Sequence, residues 1–512
     1  MRAPGAPKRR PEEEKKPPSL QQQQQQQQQR RKKQKPMSPE IEVRLAIQMA
    51  AREGSVDTGL AAYDRAKEQG LRLSLDSYAT LLFLCSGGDD WEALIGNTAT
   101  EKQKEMPSPE SLLERSEAVM QDMATAGITP NEICYTALAR LNAWAGRVDT
   151  AFEIAQRVTT TKGLVPRLRC FTPSLVAYAE QGQGEQAFAV DGAIVDAGLE
   201  PGEGELSRLL QASSSETQCN GFYERVTTNV LLRLSRNFTT LERNTINRAI
   251  QYFTSLDQSK WRIDANCKVE EDGGCEGAGP GVKLAALDLD DEEYGEFTRG
   301  IAELATKQQR HAADFTSFKG WLEEHGPFGV VVDAANVAFY GQNFESGGFS
   351  FGQIGAVVQR VRRDHPRLKP LVLLHVNRTK AQPAQQPTAT ALLEQLKKES
   401  CFYATPQGSN DDWYWMYAAV AAGAEGLLVS NDEMRDHSFS MLAPRFFGKW
   451  KQRHQLRYTF SGGPDTLEFV YPPPFTTCLQ EIASGGEGDK DKKKKGWVLP
   501  CVDGTWTLIM QT

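Results

Sequence analysis

Hydrophobic positions follow two different rhythms along this chain. Across residues 38–215 they recur every three or four positions, as in Arg147–Val158 (RVDTAFEIAQRV). That spacing gathers apolar side chains on one stripe of a helix. From 327 to 455 they come instead as short unbroken runs, at Val330–Val332, Leu371–Val376, Phe402–Ala404 and Leu427–Ser430. Runs that are apolar throughout suit strands covered on both faces. Stretches with helical spacing separate them, at Phe351–Arg363, Thr388–Glu399 and Asp411–Ala422. Strands alternating with helices predict an α/β domain built on a parallel sheet.

The helical part also repeats. The phrases beginning Gly127-Ile-Thr-Pro, Gly163-Leu-Val-Pro and Gly198-Leu-Glu-Pro each lead into a new helical stretch, and their glycines lie 36 and 35 residues apart. Gly70–Leu82 is an earlier copy, set off by an insertion around 86–110. A fixed period near 35 with helix–turn–helix content signals an α-solenoid. Residues 216–260 read as helix and connection, and 261–289 as a Gly-rich insertion bearing cysteines. Residues 291–325 read as one more amphipathic helix, ending at Gly326-Pro327. Strand-like pieces return after 456. The expected layout is therefore helical repeats over 38–215 and an α/β domain over 327–455. A β-rich connecting module would be formed by 216–326 and 456–512.

At 512 residues the chain exceeds what one core supports. No apolar run approaches the roughly 20 residues that cross a bilayer. Nine scattered cysteines form no disulfide framework, which points to a reducing compartment. The net charge of −7 hides an asymmetry. Residues 1–37 hold eleven Lys/Arg against three Glu, a balance of +8, so the remainder carries −15 (−7 minus 8). RNA binding must then rest on local basic patches and base stacking rather than on a global field. The first 37 residues, Pro-rich and carrying Gln21–Gln29, are expected to be disordered. Their clusters Lys8-Arg9-Arg10 and Arg30-Arg31-Lys32-Lys33 suggest nuclear import, with an organelle as the alternative.

Candidate chemistry concentrates in the α/β part. Asp333 follows the valine run, Asp411 and Asp412 open a helix, and Asp432 follows Leu427–Ser430. Parallel α/β sheets gather ligands at the carboxyl ends of their strands. These four carboxylates are therefore expected to converge, and a hard cation, Mg²⁺ or Mn²⁺, would relieve their repulsion. Metal-assisted attack of water on a phosphodiester is the simplest chemistry for such a set. Asn336, His375, Arg435 and His437 are expected to support it, and Asp436 lies beside the last two. An aspartyl-phosphate enzyme is disfavoured because Ala335 stands where a second Asp belongs. No P-loop spacing occurs, and a Gly-x-Ser-x-Gly nucleophile elbow is not expected.

Two resemblances rest on these strings. The Gly-x-x-Pro phrase followed by Cys134-Tyr135-Thr136 or Cys170-Phe171-Thr172 resembles the pentatricopeptide repeat family. Such repeats read single-stranded RNA about one base per repeat, which implies Ala79, Thr136, Thr172 and Ser207 as RNA-binding positions. A tetratricopeptide-type protein-binding solenoid is the alternative. The strings VVVDAANVA, LLHVNR, NDDWYWMYAA and VSNDEMRDH together resemble the catalytic domain of protein-only ribonuclease P, an NYN-type metallonuclease related to PIN nucleases. With the repeats, the likeness covers the chain from about residue 40 to its end. It implies removal of the 5′ leader of precursor tRNA with Mg²⁺, without an RNA subunit, by a single chain whose solenoid grips the tRNA elbow. It implies Asp333, Asp411, Asp412 and Asp432 as metal ligands and catalytic residues. A general single-strand endoribonuclease, a non-catalytic RNA-binding pentatricopeptide protein and a protein scaffold are the competing readings.

That family also carries a structural zinc in its connecting module, held by Cys-x-x-Cys, a His after a Trp, and a last Cys. Here Cys275 matches the first ligand, but Ala278 takes the place of the second. Val498 follows Trp497 in place of the His, and Leu508 or a neighbour replaces the last Cys. A closed zinc site needs about four N/S ligands, so structural zinc is not expected. Cys267, Cys275, Cys478, Cys501 and His454 are the other donors that a different site would draw on.

Overall fold

The computed structural model describes residues 37–96, 106–215, 221–257, 259–308, 312–342, 348–434, 444–484 and 494–512. The clusters at 8–10 and 30–33 lie outside them, as do Arg435, Asp436 and His437. The chain divides into two units, residues 1–177 and 178–512.

The first unit is helical. Pro39–Glu53, Val56–Glu68, Leu75–Cys85, Pro109–Thr125, Glu132–Trp144 and Val148–Thr160 pack as successive antiparallel neighbours. Their core includes Ile47, Tyr63, Leu81, Leu112, Val119 and Leu141. The repeated glycine has a physical reason. Gly70, Gly127, Gly163 and Gly198 all sit at positive φ, between 63° and 89°. The N–H groups of Gly70 and Gly127 bond back to Lys67 and Ala124. A left-handed residue just past a helix satisfies its last carbonyls, and glycine adopts that conformation without a Cβ penalty.

In the second unit, helical pairing continues past 215. Glu203–Ser213 packs on Arg243–Leu256. Residues 222–256 are thus part of the helical array and not of a β-rich module, because an amphipathic helix needs a partner for its buried face (Ile246, Ala249, Tyr252, Phe253).

Among the described residues ten strands follow: β1 Trp261–Asp264, β2 Val330–Asp333, β3 Pro370–His375, β4 Phe402–Thr405, β5 Leu427–Val429, β6 Gln455–Phe460, β7 Leu467–Val470, β8 Gln480–Ser484, β9 Lys494–Pro500 and β10 Trp506–Gln511. They form two sheets, ordered β4-β3-β2-β5-β6-β7 and β1-β10-β9-β8. In the first, β2 to β6 are parallel and β7 runs antiparallel to β6. The second is antiparallel. This moves an expected boundary. Residues 455–470 extend the parallel sheet, so only β1 and 480–511 make the smaller junction sheet. The rearrangement follows from pairing: Leu428 and Val429 align with Gln455 and Leu456, and β6 covers what would otherwise be an open edge.

Alternate residues of β2 feed two cores. Val330 and Val332 face helices Phe351–Asp364 and Pro387–Lys398. Val331 faces Asp411–Ala421 and Pro444–His454. The stretch 291–325 is two helices rather than one, Asp291–Gln308 and Ala312–His325. Their Phe297, Ile301, Phe315 and Phe318 pack into this second core with Trp413, Tyr414 and Trp415. They therefore belong to the α/β domain and not to the connecting module, and the Trp-Tyr-Trp string is core packing.

Candidate active site at the carboxyl edge of the parallel sheet

In the order β4-β3-β2-β5-β6 the chain reverses direction between β2 and β5. A crevice opens at such a switch point, outside the carboxyl ends of the strands. Asp333 ends β2 and Asp432 lies three residues beyond β5. Asp411 and Asp412 begin the helix that crosses back from β4 and packs over β2 and β3. Three segments, distant in sequence, thus bring four carboxylates to one edge.

Asp333 is 5% exposed. Its Oδ1 accepts the Asn336 N–H at 3.1 Å, capping helix Ala334–Phe339, and its Oδ2 accepts the Ser430 hydroxyl at 2.9 Å. Burial pushes this carboxyl up to about 7. The Asn336 N–H and Ser430 hydroxyl oppose that rise, and the charges of Asp411 and Asp412 add to it. Asp412 is pushed up to about 6, by burial first and then by Asp411 and Asp432. The four carboxylates therefore feel one another. Among the described residues no three His, Cys, Asp or Glu side chains converge closely enough to enclose an ion. A hard cation that retains several waters fits such a spaced, all-oxygen set. A carboxyl raised by burial first and by neighbouring carboxylates second marks a candidate functional site.

The supporting frame is mostly polar backbone bracing. Asn336 Oδ1 accepts from the Asn431 N–H at 2.9 Å and from the Tyr458 hydroxyl at 2.5 Å. Asn431 exchanges two bonds with the Tyr458 backbone, at 2.8 and 3.1 Å, and so continues the ladder beyond β5. Buried Gln455 donates its amide to the carbonyls of Ser430 and Asp432, at 2.8 and 2.9 Å. Ser430 bridges Asp333 and the Asp432 N–H. Asp432 Oδ1 accepts from the Met434 N–H at 2.7 Å, and Met434 sits at φ 52°. Lys451 and Arg457 pair with Glu433 beside it. Of these, Ser430, Asn431, Gln455 and Tyr458 escape the sequence reading. Ser430 and Asn431 lie inside a string already singled out. Nothing in the sequence signals Gln455 or Tyr458, because β6 joins the sheet only in three dimensions.

Asn336 orients Asp333 through its N–H and braces the Asp432 segment through its Oδ1. His375 lies at the same edge of the sheet, where its Nδ1 accepts the Asn377 N–H at 3.2 Å. Arg435 and His437 are outside the described residues. The spacing Gly348-Phe349-Ser350-Phe351-Gly352 does occur, contrary to expectation. Ser350 caps helix Phe351–Asp364 by accepting the Gln353 N–H, and among the described residues no strand runs directly into it as a nucleophile elbow requires.

Comparison with known proteins agrees with this layout. The family model "Protein-only RNase P" matches residues 269–487, and "Pentacotripeptide-repeat region of PRORP" matches 28–259. Proteinaceous RNase P 1, chloroplastic/mitochondrial, of Arabidopsis thaliana is 33% identical over 478 residues, covering 88% of this chain and 79% of that protein. Proteinaceous RNase P 2 of the same plant is 31% identical over 491 residues, covering 88% of each. The crystal structure of nuclear proteinaceous RNase P 2 from A. thaliana superposes with a TM-score of 0.69 at 29% identity, over 93% of this chain and 100% of that one. The chain belongs to the protein-only RNase P family. Its repeat region runs to about 259, which agrees with the helix pairing seen beyond 215.

Within this family frame the repeat positions differ in what they can reach. Ala79 and Thr136 line one cavity of about 690 Å³, together with Arg52, Phe83, Arg140 and Arg169. Asp76 and Asp89 line it too, and Arg169 is paired with Glu132, which offsets part of the positive charge. The Arg140 guanidinium lies over the rings of Phe83 and Trp91, at 5.5 and 5.0 Å. Thr172 bonds its own helix through the Leu168 carbonyl at 3.0 Å. Ser207 does not meet the expectation. It is 1% exposed and accepts from Arg248 at 2.6 Å inside the packed helix pair.

Of the other donors, Cys267 and Cys275 share one core. His454 bonds Asp288, Tyr294 and the Gly426 carbonyl; Cys478 lies beside Lys449 and Gln480; Cys501 pairs with Leu241. These five do not form one site.

Proposed function

We propose that this chain is a ribonuclease P acting in precursor tRNA processing, an endoribonuclease that removes the 5′ leader by Mg²⁺-dependent hydrolysis. What supports the reading is the placement of Asp333, Asp411, Asp412 and Asp432 around the switch point of the sheet, near enough for their charges to act on one another. Family membership adds to it. Relatives named as ribonuclease P match along most of the chain.

The carboxylates would hold one or two divalent cations, which when bound supply charge neutralisation at the scissile phosphate and activation of water as the nucleophile. The chain's own residues do the rest. Ser430 and the Asn336 N–H fix both oxygens of Asp333. Gln455 and Asn431 hold the Asp432 segment against β6. The helix N-terminus beneath Asp411 and Asp412 offers its partial positive charge to the same pair. The arginine-lined cavity of the repeats gives the RNA a place to bind. One chain suffices in this reading, without an RNA subunit. Relatives include nuclear and organellar forms, and the basic clusters of the first 37 residues favour the nucleus here.

The test is to incubate purified protein with a 5′-extended precursor tRNA and Mg²⁺ and to map the new ends. Cleavage at the mature 5′ end that disappears in Asp411→Ala supports the proposal. Scattered cleavage in single-stranded regions favours a general endoribonuclease. Tight binding without cleavage in any divalent metal favours an RNA-binding role, and cleavage undiminished by Asp411→Ala removes the site assignment.

A further inference from the structure

The zinc pattern of the family and the residues of this chain disagree at three of four positions, and the fold shows what stands there instead. Cys275 and Ala278 lie more than two hundred residues before Val498 and Leu508, yet all four lie in one buried cluster. Val498 and Leu508 are direct cross-strand partners on β9 and β10. The 275–278 turn, closed by the Ala278 N–H to the Cys275 carbonyl at 3.2 Å, lies over Leu508. A Cβ at Gly277 would stand 3.6 Å from the Leu508 Cδ2 atom. Arg262 of β1 donates to the Gly277 carbonyl and fastens the turn to the sheet. All four are buried, at 6%, 3%, 0% and 0% exposure. Cys267, Val282, Leu284, Ile482 and Met510 complete the cluster.

We infer that the junction sheet is a metal-free knuckle, in which the turn and strand positions that would converge on a structural zinc have kept their convergence and exchanged coordination for apolar packing. The donor chemistry supports this. A closed zinc site takes four N or S ligands, and the cluster offers only the Cys275 and Cys267 thiols. The Cys267 Sγ is directed at the Glu276 carbonyl at 3.2 Å, and the Cys275 Sγ at the Gly273 carbonyl at 3.6 Å. No histidine is in the cluster, and Ala278, Val498 and Leu508 have no atom that binds a cation. Packing of this kind does not need deprotonated ligands, whereas zinc binding does. The junction should therefore assemble without regard to zinc supply, a property separate from whatever divalent ion the carboxylate edge takes.

The experiment has two arms. In the first, zinc per chain is measured by mass spectrometry on full-length protein purified without chelator, and the thermal midpoint is recorded with and without a zinc-selective chelator in excess Mg²⁺. Negligible zinc and an unmoved midpoint are expected. About one zinc per chain, with a midpoint that drops on chelation, overturns the inference. In the second arm, the triple variant Ala278→Cys/Val498→His/Leu508→Cys is supplied with ZnCl₂. Uptake of about one zinc per chain and a newly chelator-sensitive midpoint are expected. A folded triple variant that takes up no zinc overturns the claim of retained convergence. Should the triple variant fail to fold with or without zinc, that too counts against convergence, and the wild-type arm still decides whether the junction is metal-free.

Discussion

At the carboxyl edge of the parallel sheet, four ionisable groups stay together although burial and mutual repulsion push Asp333 and Asp412 well above the ordinary carboxylate range. In the junction sheet, a few strands away in sequence, positions that a zinc-binding relative would fill with donors hold Ala278, Val498 and Leu508. Grouping like charges destabilises a fold, so apolar side chains would suit the first place better if stability alone mattered. They are absent there and present in the second place. A metal that only fastens a fold can be replaced by well-packed hydrophobic groups, just as buried ion pairs often can. A metal that performs chemistry has no such substitute.

The sharpest way to break this contrast is to neutralise the edge. Asp333→Asn or Asp412→Asn is expected to slow single-turnover cleavage of a precursor tRNA on the order of 10³-fold, about 4 kcal/mol in the barrier. The urea midpoint in metal-free buffer should stay level or rise, because a penalised buried charge has gone. Loss of activity and stability together would make these carboxylates structural. Leu508→Ala is the mirror experiment. Its side chain is fully buried, and truncation should cost about 2–4 kcal/mol of stability. The Mg²⁺ dependence of cleavage per folded molecule should not move.

Gln455→Leu addresses the bracing between the two extremes. With the carbonyls of Ser430 and Asp432 released, cleavage at low Mg²⁺ should fall about 10–100-fold and recover in part at high Mg²⁺. A rate curve against Mg²⁺ that keeps its midpoint would reduce Gln455 to a packing residue. The smallest expected effect concerns pH. Burial pushes the Asp288 carboxyl up, but the His454 hydrogen bond and charge, with the Leu289 N–H and Tyr294 hydroxyl, outweigh it and hold the group below its ordinary value. A depressed carboxyl stabilises the fold above its unfolded pKa and loses that contribution as pH falls through the folded one. Asp288→Asn should therefore cost about 1 kcal/mol near pH 6 and less as pH falls below the ordinary carboxylate range, measured by urea unfolding along that range.

Much of this was legible in the sequence where local pattern and burial agree. The strands around Val331, Leu373, Tyr403 and Leu428 are each flanked by helices of clear period. Each of the four aspartates follows one of these strands directly or opens the helix beyond it, so the switch-point rule places them. What escaped was nonlocal. β6 reads like a connecting strand, because only its pairing with β5 makes it part of the nuclease sheet, and with it come Gln455 and Tyr458. Helices Asp291–Gln308 and Ala312–His325 look like a linker, since their apolar faces reveal no partner until Trp413–Trp415 are placed against them. Ser207 sits at the expected repeat position, but Arg248, 41 residues on, occupies its hydroxyl. The three apolar positions of the junction are legible in the sequence as missing ligands; that these positions still meet is not.

The most direct test of the account is the rate of 5′-leader removal as a function of Mg²⁺ concentration, measured side by side for the wild type and Asp412→Asn with equal folded fractions. The account predicts a saturable Mg²⁺ requirement in the wild type and, in the variant, a rate that stays near background or demands far more Mg²⁺. Cleavage at the mature 5′ end by the variant, with an unchanged Mg²⁺ midpoint and rate, would contradict it.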